Sequence, residues 1–478
     1  MNKTSNIYTP RLHSTRLALA LALPLALGAC APLQPHQRPD LPLPPDWATA
    51  EPSASAATLP SAPLPWVDWV QHPELRALIQ QALEHNLDAR IAQRQMAQLQ
   101  AQWQQRRAAQ GPTLAAAADA QRTGGDSATG NLYRAGLLVS SWEIDFFGRL
   151  ESLSEAARAQ YLASAEAERW VRVSLVSGVV AAWLEVQSAH ALLEVSQRTL
   201  ANHEASLRLV QLRLQHGTAS ALQRQHSEAL VQAARVAQAR QQRQLQLALH
   251  QLQQLAGPLH DPSTSTPAPL PSDTRSANGK QTLALLQPVA VGLPSEVLLQ
   301  RPDVRAAENR LAAAQAQIGA ARAAFFPRIA LTAQLGSAST ELAGLFASGS
   351  WGWTLAPQAL LPLFDYGANR ARLAASQAER DIALLQYEQA IQSAFKEVRD
   401  ALASQTFMQA EYTAQQALWQ AESQRAHLSA RLLALGSASQ LELLDAQRSA
   451  FAAEQQLVQL RFALLQNRVA LYRATGGH

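Results

Sequence analysis

The sequence predicts a mainly α-helical fold with a smaller β component, assembled as a tandem duplication of long helical hairpins and paired strands. The duplication is visible in three glycines that recur 219 residues later, with Gly148, Gly217 and Gly257 matched by Gly367, Gly436 and Gly476. Long stretches between these glycines are almost free of helix-breaking residues, and short windows outside them alternate with a period of two. Repeated spacing of this kind indicates two copies of one structural unit.

Residues 1–29 are expected to form a secretory signal. Lys3, Arg11 and Arg16 precede an apolar run at residues 17–27 (LALALALPLAL), which is shorter than the roughly 20 residues of a spanning helix. Residues 1–29 contain no acidic residue, so removing them lowers the formal net charge of the chain from +4 to +1. The sequence pI of about 9.4 therefore gives no reason to expect a nucleic-acid partner.

The chain has a single cysteine, Cys30, which follows Leu27-Gly28-Ala29. This arrangement resembles a bacterial lipobox, in which a cysteine behind small residues is acylated and becomes the mature N-terminus. We expect a covalent lipid on Cys30 and no other cofactor, and Ala at position 31 favours the outer membrane. The alternative is an ordinary signal peptide with an incidental cysteine. A single cysteine excludes a disulfide framework and a cysteine-based zinc site.

Composition and proline clusters predict the domain organisation. Hydrophobic residues make up 47% of the chain, which excludes wholesale disorder. Prolines cluster near residues 31–65 and 258–302, where we expect a tether and a linker. The predicted segments are a signal peptide at 1–29, a lipid-anchored tether at 30–65, a first repeat at 66–257, a linker at 258–301 and a second repeat at 302–478.

Each repeat is expected to contain one long helical hairpin. Residues 149–216, 218–256, 368–435 and 437–475 are rich in Ala, Leu, Gln, Arg and Glu, and the first of these helices would be roughly 100 Å long. Gly217 and Gly436 are predicted to form the tight turns between helices. Helices of this length must pack against other helices, including shorter arms predicted at 74–110 and 303–326.

Two windows, residues 112–147 and 327–366, are predicted to supply four β-strands. In the second window Ile329, Leu331 and Leu335 alternate with small or polar residues, whereas the first window alternates less cleanly. Outside the signal no run of 18 consecutive apolar residues predicts a spanning helix, so membrane crossing would fall to the strands. Four strands cannot close a pore, so membrane strands would require an oligomer. The alternative is a soluble pair of hairpins.

Four segments together resemble the TolC-like outer-membrane factors, in their NodT-type lipoprotein branch. The segments are residues 142–149 (WEIDFFGR), 292–308 (GLPSEVLLQRPDVRAAE), 318–327 (IGAARAAFFP) and 362–367 (PLFDYG). They occur in the order found in that family, and the resemblance covers the chain from about Trp66 to Gly477. It implies a homotrimer in outer-membrane lipid, with a twelve-stranded β-barrel and a periplasmic α-helical tunnel. It also implies passive efflux of small molecules, docking on a periplasmic adaptor and, indirectly, an inner-membrane pump.

The sequence offers no motif for an enzyme. It contains no HExxH, GxSxG or phosphate-loop pattern, and its histidines lack metal-ligand spacing. We therefore expect neither catalysis nor a metal. The remaining rival to an efflux channel is a non-conducting, lipid-anchored coiled-coil envelope or adaptor protein, although an adaptor would typically have one helical hairpin rather than two.

The candidate functional residues lie at the helix tips. Glu442 and Asp445 share one helical face just beyond Gly436, and the resemblance implies that acids at this offset line a closed aperture and favour cations. The alternative is a solvated face on which Asp445 pairs with Arg448. The matching residues of the first repeat are Gln223 and His226, so its part in gating is left open. The resemblance also implies adaptor docking at the tip turns, at Gly217, Thr218, Gly436 and Ser437, although these glycines could serve only as turns.

Overall fold

The computed structural model describes residues 65–125, 130–257, 285–289 and 295–477. The predicted signal, Cys30, the tether before residue 65 and most of the predicted linker lie outside these residues. The described chain divides into two compact units. The first unit comprises Ala97–Ala163 and Ala307–Gln386, and the second comprises the rest of the described residues.

Eight α-helices are present among the described residues, and the four longest correspond to the predicted hairpins. The helices are α1 (Trp66–Trp69), α2 (Pro73–His85), α3 (Leu87–Ala108), α4 (Arg149–Gln215), α5 (Ala221–Ala256), α6 (Pro302–Ala323), α7 (Ala368–Ala434) and α8 (Gln440–Ala474). Both predicted turn glycines lie between the expected helices. The mainly α-helical prediction with two hairpins is confirmed.

The first unit contains a four-stranded antiparallel sheet. Its strands are β1 (Leu114–Thr123), β2 (Gly130–Ile144), β3 (Arg328–Ser339) and β4 (Trp351–Leu360), paired in sequence order. β2 pairs with β3 across the two halves of the duplication, so the sheet is completed only by both repeats. Both predicted windows therefore supply strands. The less regular first window contains a register shift between Val139 and Trp142, which interrupts its alternation.

The two faces of the sheet differ in side-chain size. One row across the sheet consists of Leu137, Leu335 and Trp353, which are 44%, 49% and 76% exposed, and all three project from the same face. The adjacent row, on the opposite face, contains Gly136, Gly336 and Gly352. Large apolar side chains on one face and small residues on the other match a membrane strand with a lipid side and a lumen side.

Aspartates cap the long helices where they follow the sheet. Asp145 accepts hydrogen bonds from the backbone N–H groups of Arg149 and Glu151, each at 2.7 Å. Asp365 accepts from Asn369 at 2.8 Å and Gly367 at 2.9 Å, and these two bonds lower the pKa of its exposed carboxyl group. The segments WEIDFFGR and PLFDYG therefore each provide an aspartate that caps the start of the long helix that follows.

An ion cluster at the first junction joins β2, α4 and β3. Glu143 accepts two hydrogen bonds of 2.7 Å from Arg149 and one of 2.7 Å from Arg328. Only 13% of the Glu143 side chain is exposed, so the carboxylate is held inside the junction by two guanidinium groups. Residues of the WEIDFFGR segment are thus structural joints here.

The second unit is a layer of helices in the order α5, α4, α8, α7. Hydrogen bonds between neighbouring helices establish this order. They join Arg235 to Glu204 (3.0 Å) between α5 and α4, Gln466 to Ala181 (2.8 Å) between α8 and α4, and Asn467 to Ala401 (2.9 Å) between α8 and α7. The two hairpins therefore meet through α4 and α8.

Helix α4 contains an 18-residue window that is apolar enough to cross a membrane, judged by length and composition only. In that window 78% of the residues are buried inside the protein. Its apolar side chains are accounted for by packing against the neighbouring helices, as in the core helix of a soluble domain.

Candidate functional site: the helix tips

The two predicted turns have the same backbone geometry. Gly217 and Gly436 adopt φ values of +72° and +75°, a conformation that side-chain-bearing residues rarely adopt. The N–H of the next residue, Thr218 or Ser437, donates to the carbonyl group five residues earlier, at 2.8 Å in each case. This is a Schellman-type helix end. All four residues predicted for adaptor docking are exposed in the single chain.

A capping box follows each turn. Ser439 Oγ accepts from the N–H of Glu442 at 3.2 Å, and Glu442 Oε2 accepts from the N–H of Ser439 at 2.8 Å. Ser220 and Gln223 make the equivalent pair of bonds, at 3.2 and 2.8 Å. Glu442 therefore caps the start of helix α8, and Gln223, which is uncharged, caps the start of α5 in the same way. Sequence reasoning missed this role, although the Ser-x-x-Glu spacing signals it.

Asp445 lies in an ion network rather than standing alone. Its carboxylate is 2.7 Å from Arg448 and 3.5 Å from Arg425, which also pairs with Glu422 at 2.8 Å. The alternative pairing of Asp445 with Arg448 is therefore present. The two acids and two arginines of this network balance in formal charge. Because Arg425 belongs to α7 and Asp445 to α8, the pair also ties the two arms of the hairpin together.

The first-repeat tip is less acidic. Gln223 is used as a cap and His226 is exposed, so this tip has no acid at the two matching positions.

Further from the tip, Arg198 of α4 pairs with Glu454 of α8 at 2.6 Å, which links the hairpins. His203, between the tip and this link, is 8% exposed, and burial lowers its pKa.

Exposed leucines flank both tips. Leu222 and Leu441 occupy equivalent positions in the two repeats and are 79% and 65% exposed. Leu435, immediately before the second turn, is 78% exposed. Sequence reasoning places Leu435 in the second tip turn but does not select Leu222 or Leu441, although the 219-residue offset matches these two leucines. They give the tips an apolar contact surface beside the two glycine turns.

No set of three His, Cys, Asp or Glu side chains in residues 65–125, 130–257, 285–289 and 295–477 is placed to hold a metal ion.

The chain is similar to known outer-membrane efflux proteins over nearly its whole length. The family model described as outer membrane efflux protein matches residues 78–258 and 293–477. Outer membrane protein OprJ of Pseudomonas aeruginosa is 39% identical, with 96% of this chain and 95% of OprJ covered. Cation efflux system protein CusC of Escherichia coli O6:H1 is 36% identical, with 96% and 98% covered. The open-state structure of the Neisseria gonorrhoeae MtrE outer membrane channel matches with a TM-score of 0.83 and 32% identity, covering 93% of this chain and 97% of MtrE.

Proposed function

This chain belongs to the outer membrane efflux protein family, and from that membership we propose how its geometry supports export. It is an outer-membrane efflux channel protein with a long helical extension into the periplasm. We propose that it acts as a passive conduit for small molecules, because energy would come from an inner-membrane pump through a periplasmic adaptor. CusC is named for cations and another relative, TtgI of Pseudomonas putida, for toluene. We propose that cargo is selected upstream of the conduit.

The observation that carries the proposal is a small sheet with two open edges and an apolar face. Among the described strands β1 and β4 each pair on one side only. Open edges are not stable in hydrocarbon, so β4 of one copy would pair with β1 of the next. The family resemblance implies three copies, which together give a closed barrel of twelve strands. A homotrimer is therefore the assembly that we propose.

Electrophoresis without heating tests this assembly against the adaptor rival. We expect purified protein in SDS to migrate as a trimer before heating and as a monomer after it, because a closed barrel has no free edge for the detergent to open. Heating is the internal control. Monomer in both lanes would contradict the trimeric channel and favour a non-conducting envelope protein.

The tips are the proposed contact with the adaptor. The exposed turns at Gly217 and Gly436 present open backbone, and Leu222 and Leu441 supply apolar surface at matching positions. A partner with paired apolar residues at the end of a helical hairpin would fit both tips. The duplication therefore offers two related docking positions in each chain, or six in a trimer.

Lipidation of Cys30 is a separate proposal, supported by the sequence around it. We expect cells fed an alkyne-tagged palmitate to label the wild-type protein and not the Cys30→Ser variant, because no other cysteine is present. The variant should still form trimers if it is exported, since the strands supply the membrane fold. Equal labelling of both proteins would rule out Cys30 as the acylated residue.

We propose that Glu442 and Asp445 form the aperture at the second tip. Glu442 both carries a charge and caps α8, so its substitution by Ala would mix two effects. Glu442→Gln removes the charge and keeps the cap, as Gln223 does in the first repeat. We expect Glu442→Ala, but not Glu442→Gln, to cost about 1 kcal/mol of helix stability and to increase amide hydrogen exchange at residues 440–445. Equal exchange in the two variants would show that the cap is unimportant.

A further inference from the structure

A long groove runs over helix α4 between α5 and α8. It encloses about 940 Å³, and a second depression of about 250 Å³ continues it along the same three helices. Leu192 and Ser188 of α4 contribute to its floor, and Phe462 of α8 and Val236 of α5 contribute to its walls. Val236 is 70% exposed, so the groove offers apolar surface to solvent. Its size falls within the usual range for small-molecule sites.

Two arginines on the α5 wall give the groove its charge. Arg240 and Arg243 line it and are exposed, and in the part of the chain that the structure describes neither makes an ion pair or side-chain hydrogen bond. Glu185 is the acid that lines the groove, which leaves a balance of +1. Gln241, Gln455 and Gln459 add amide groups that can donate hydrogen bonds. The groove therefore combines an apolar surface with uncommitted positive charge.

Helical spacing relates the groove to the tips. Alternating steps of three and four residues from Asp445 lead to positions 455, 459, 462 and 466, all of which line the groove. The same steps from His226, the counterpart of Asp445, lead to 233, 236, 240 and 243, which also line it. Positions related in this way lie on one helical face. The groove and the aperture positions therefore share one face of α5 and of α8.

We propose that this groove is a binding site inside the conduit for amphipathic organic anions, with Arg240 and Arg243 holding the anionic group. The placement inside the conduit rests on the proposed function, because it requires Asp445 to face the lumen. The apolar part of the ligand lies against Val236, Leu192 and Phe462. In a trimer the three grooves place six arginines at one level, so anionic cargo is attracted there after it passes the acidic tip.

Ligand binding to the trimer in lipid nanodiscs tests this site. The probes are naphthalene-2-sulfonate and the uncharged 2-naphthol, titrated calorimetrically with empty nanodiscs as the blank. We expect the wild type to bind the sulfonate roughly tenfold more tightly than the naphthol, because two guanidinium groups contact its charge. Arg240→Gln/Arg243→Gln should bind both probes equally. Arg224→Gln is the matched control, since Arg224 is an exposed α5 arginine outside the groove, and it should behave as the wild type.

Two results would overturn the site: no preference for the sulfonate in the wild type, or the same preference in the double variant. Conductance of the same preparations separates this failure from failure of the channel. If the trimer conducts but its sulfonate binding does not depend on the two arginines, the groove site is ruled out and the channel function stands. If the trimer does not conduct but its sulfonate binding depends on the two arginines, the anion site stands and the proposed conduit is ruled out.

Discussion

Gly136→Ala is expected to prevent most of the protein from assembling as an SDS-resistant trimer, because it forces apart the two central strands. A Cβ atom at Gly136 would lie 2.3 Å from the carbonyl oxygen of Leu335 and 2.6 Å from the Cα of Gly336. Both neighbours are backbone atoms, so β2 and β3 must separate at the row where the two repeats pair. We expect a cost of about 3 kcal/mol, at the upper end for overpacking.

The same sheet provides a matched control for this substitution. Gly130 also belongs to β2, where it pairs with Thr123 of β1, but a Cβ atom there would meet nothing within 4 Å. Gly130→Ala should therefore assemble as the wild type, whereas Gly336→Ala should fail as Gly136→Ala does. The measurement is the fraction of unheated protein that migrates as trimer. Normal assembly of Gly136→Ala would contradict the strand register described here.

Arg301→Ala is expected to destabilise the helical unit by about 3 kcal/mol, because it removes a buried charge that several elements share. Arg301 is 1% exposed and donates to Asp303 (2.7 Å), Glu397 of α7 (3.0 Å) and the carbonyl oxygen of Ala474 in α8 (2.6 Å). Its guanidinium group also lies over Trp170 of α4. Burial disfavours its charge, but the two carboxylates outweigh burial and raise the pKa of Arg301.

Urea unfolding of the trimer, followed by circular dichroism, measures this loss. The partners of Arg301 are partly exposed, at 27% for Asp303 and 48% for Glu397, so water can solvate them and the cost should stay at the lower end for buried pairs. Arg305→Ala is the control, since Arg305 is 47% exposed and its ion pair with Glu166 spans 3.9 Å. A loss below 1 kcal/mol for Arg301→Ala would show that the junction does not depend on this charge.

The long helices could be predicted from sequence because their boundaries depend on local signals. A glycine at positive φ ends α4 and α7, and the absence of proline allows each helix to continue for 67 residues. The strands β3 and β4 were predicted equally well, because their alternation follows directly from the two faces of the sheet. In β2 the register shift after Val139 disturbs that alternation, so the pattern was weaker there.

Contacts between distant residues could not be predicted in this way. The pairing of Gly136 with Gly336 depends on strand register, and the burial of Arg301 depends on α7 and α8 meeting above it. The cap made by Glu442 is local and could have been recognised from Ser439. The ion pair of Asp445 with Arg425 joins two helices, so it needed the structure. The roles of the tip residues in gating and docking are still predictions.

Planar-bilayer conductance of the purified trimer tests the central claim of a channel gated at the second tip. The comparison is wild type against Glu442→Gln/Asp445→Ala, which removes both charges and retains the cap of α8. We predict a small, cation-preferring current in the wild type and a larger one in the variant, because the variant removes the acidic charges and breaks the Arg425–Asp445 pair between α7 and α8. Absence of current from inserted trimers of both proteins would contradict the account.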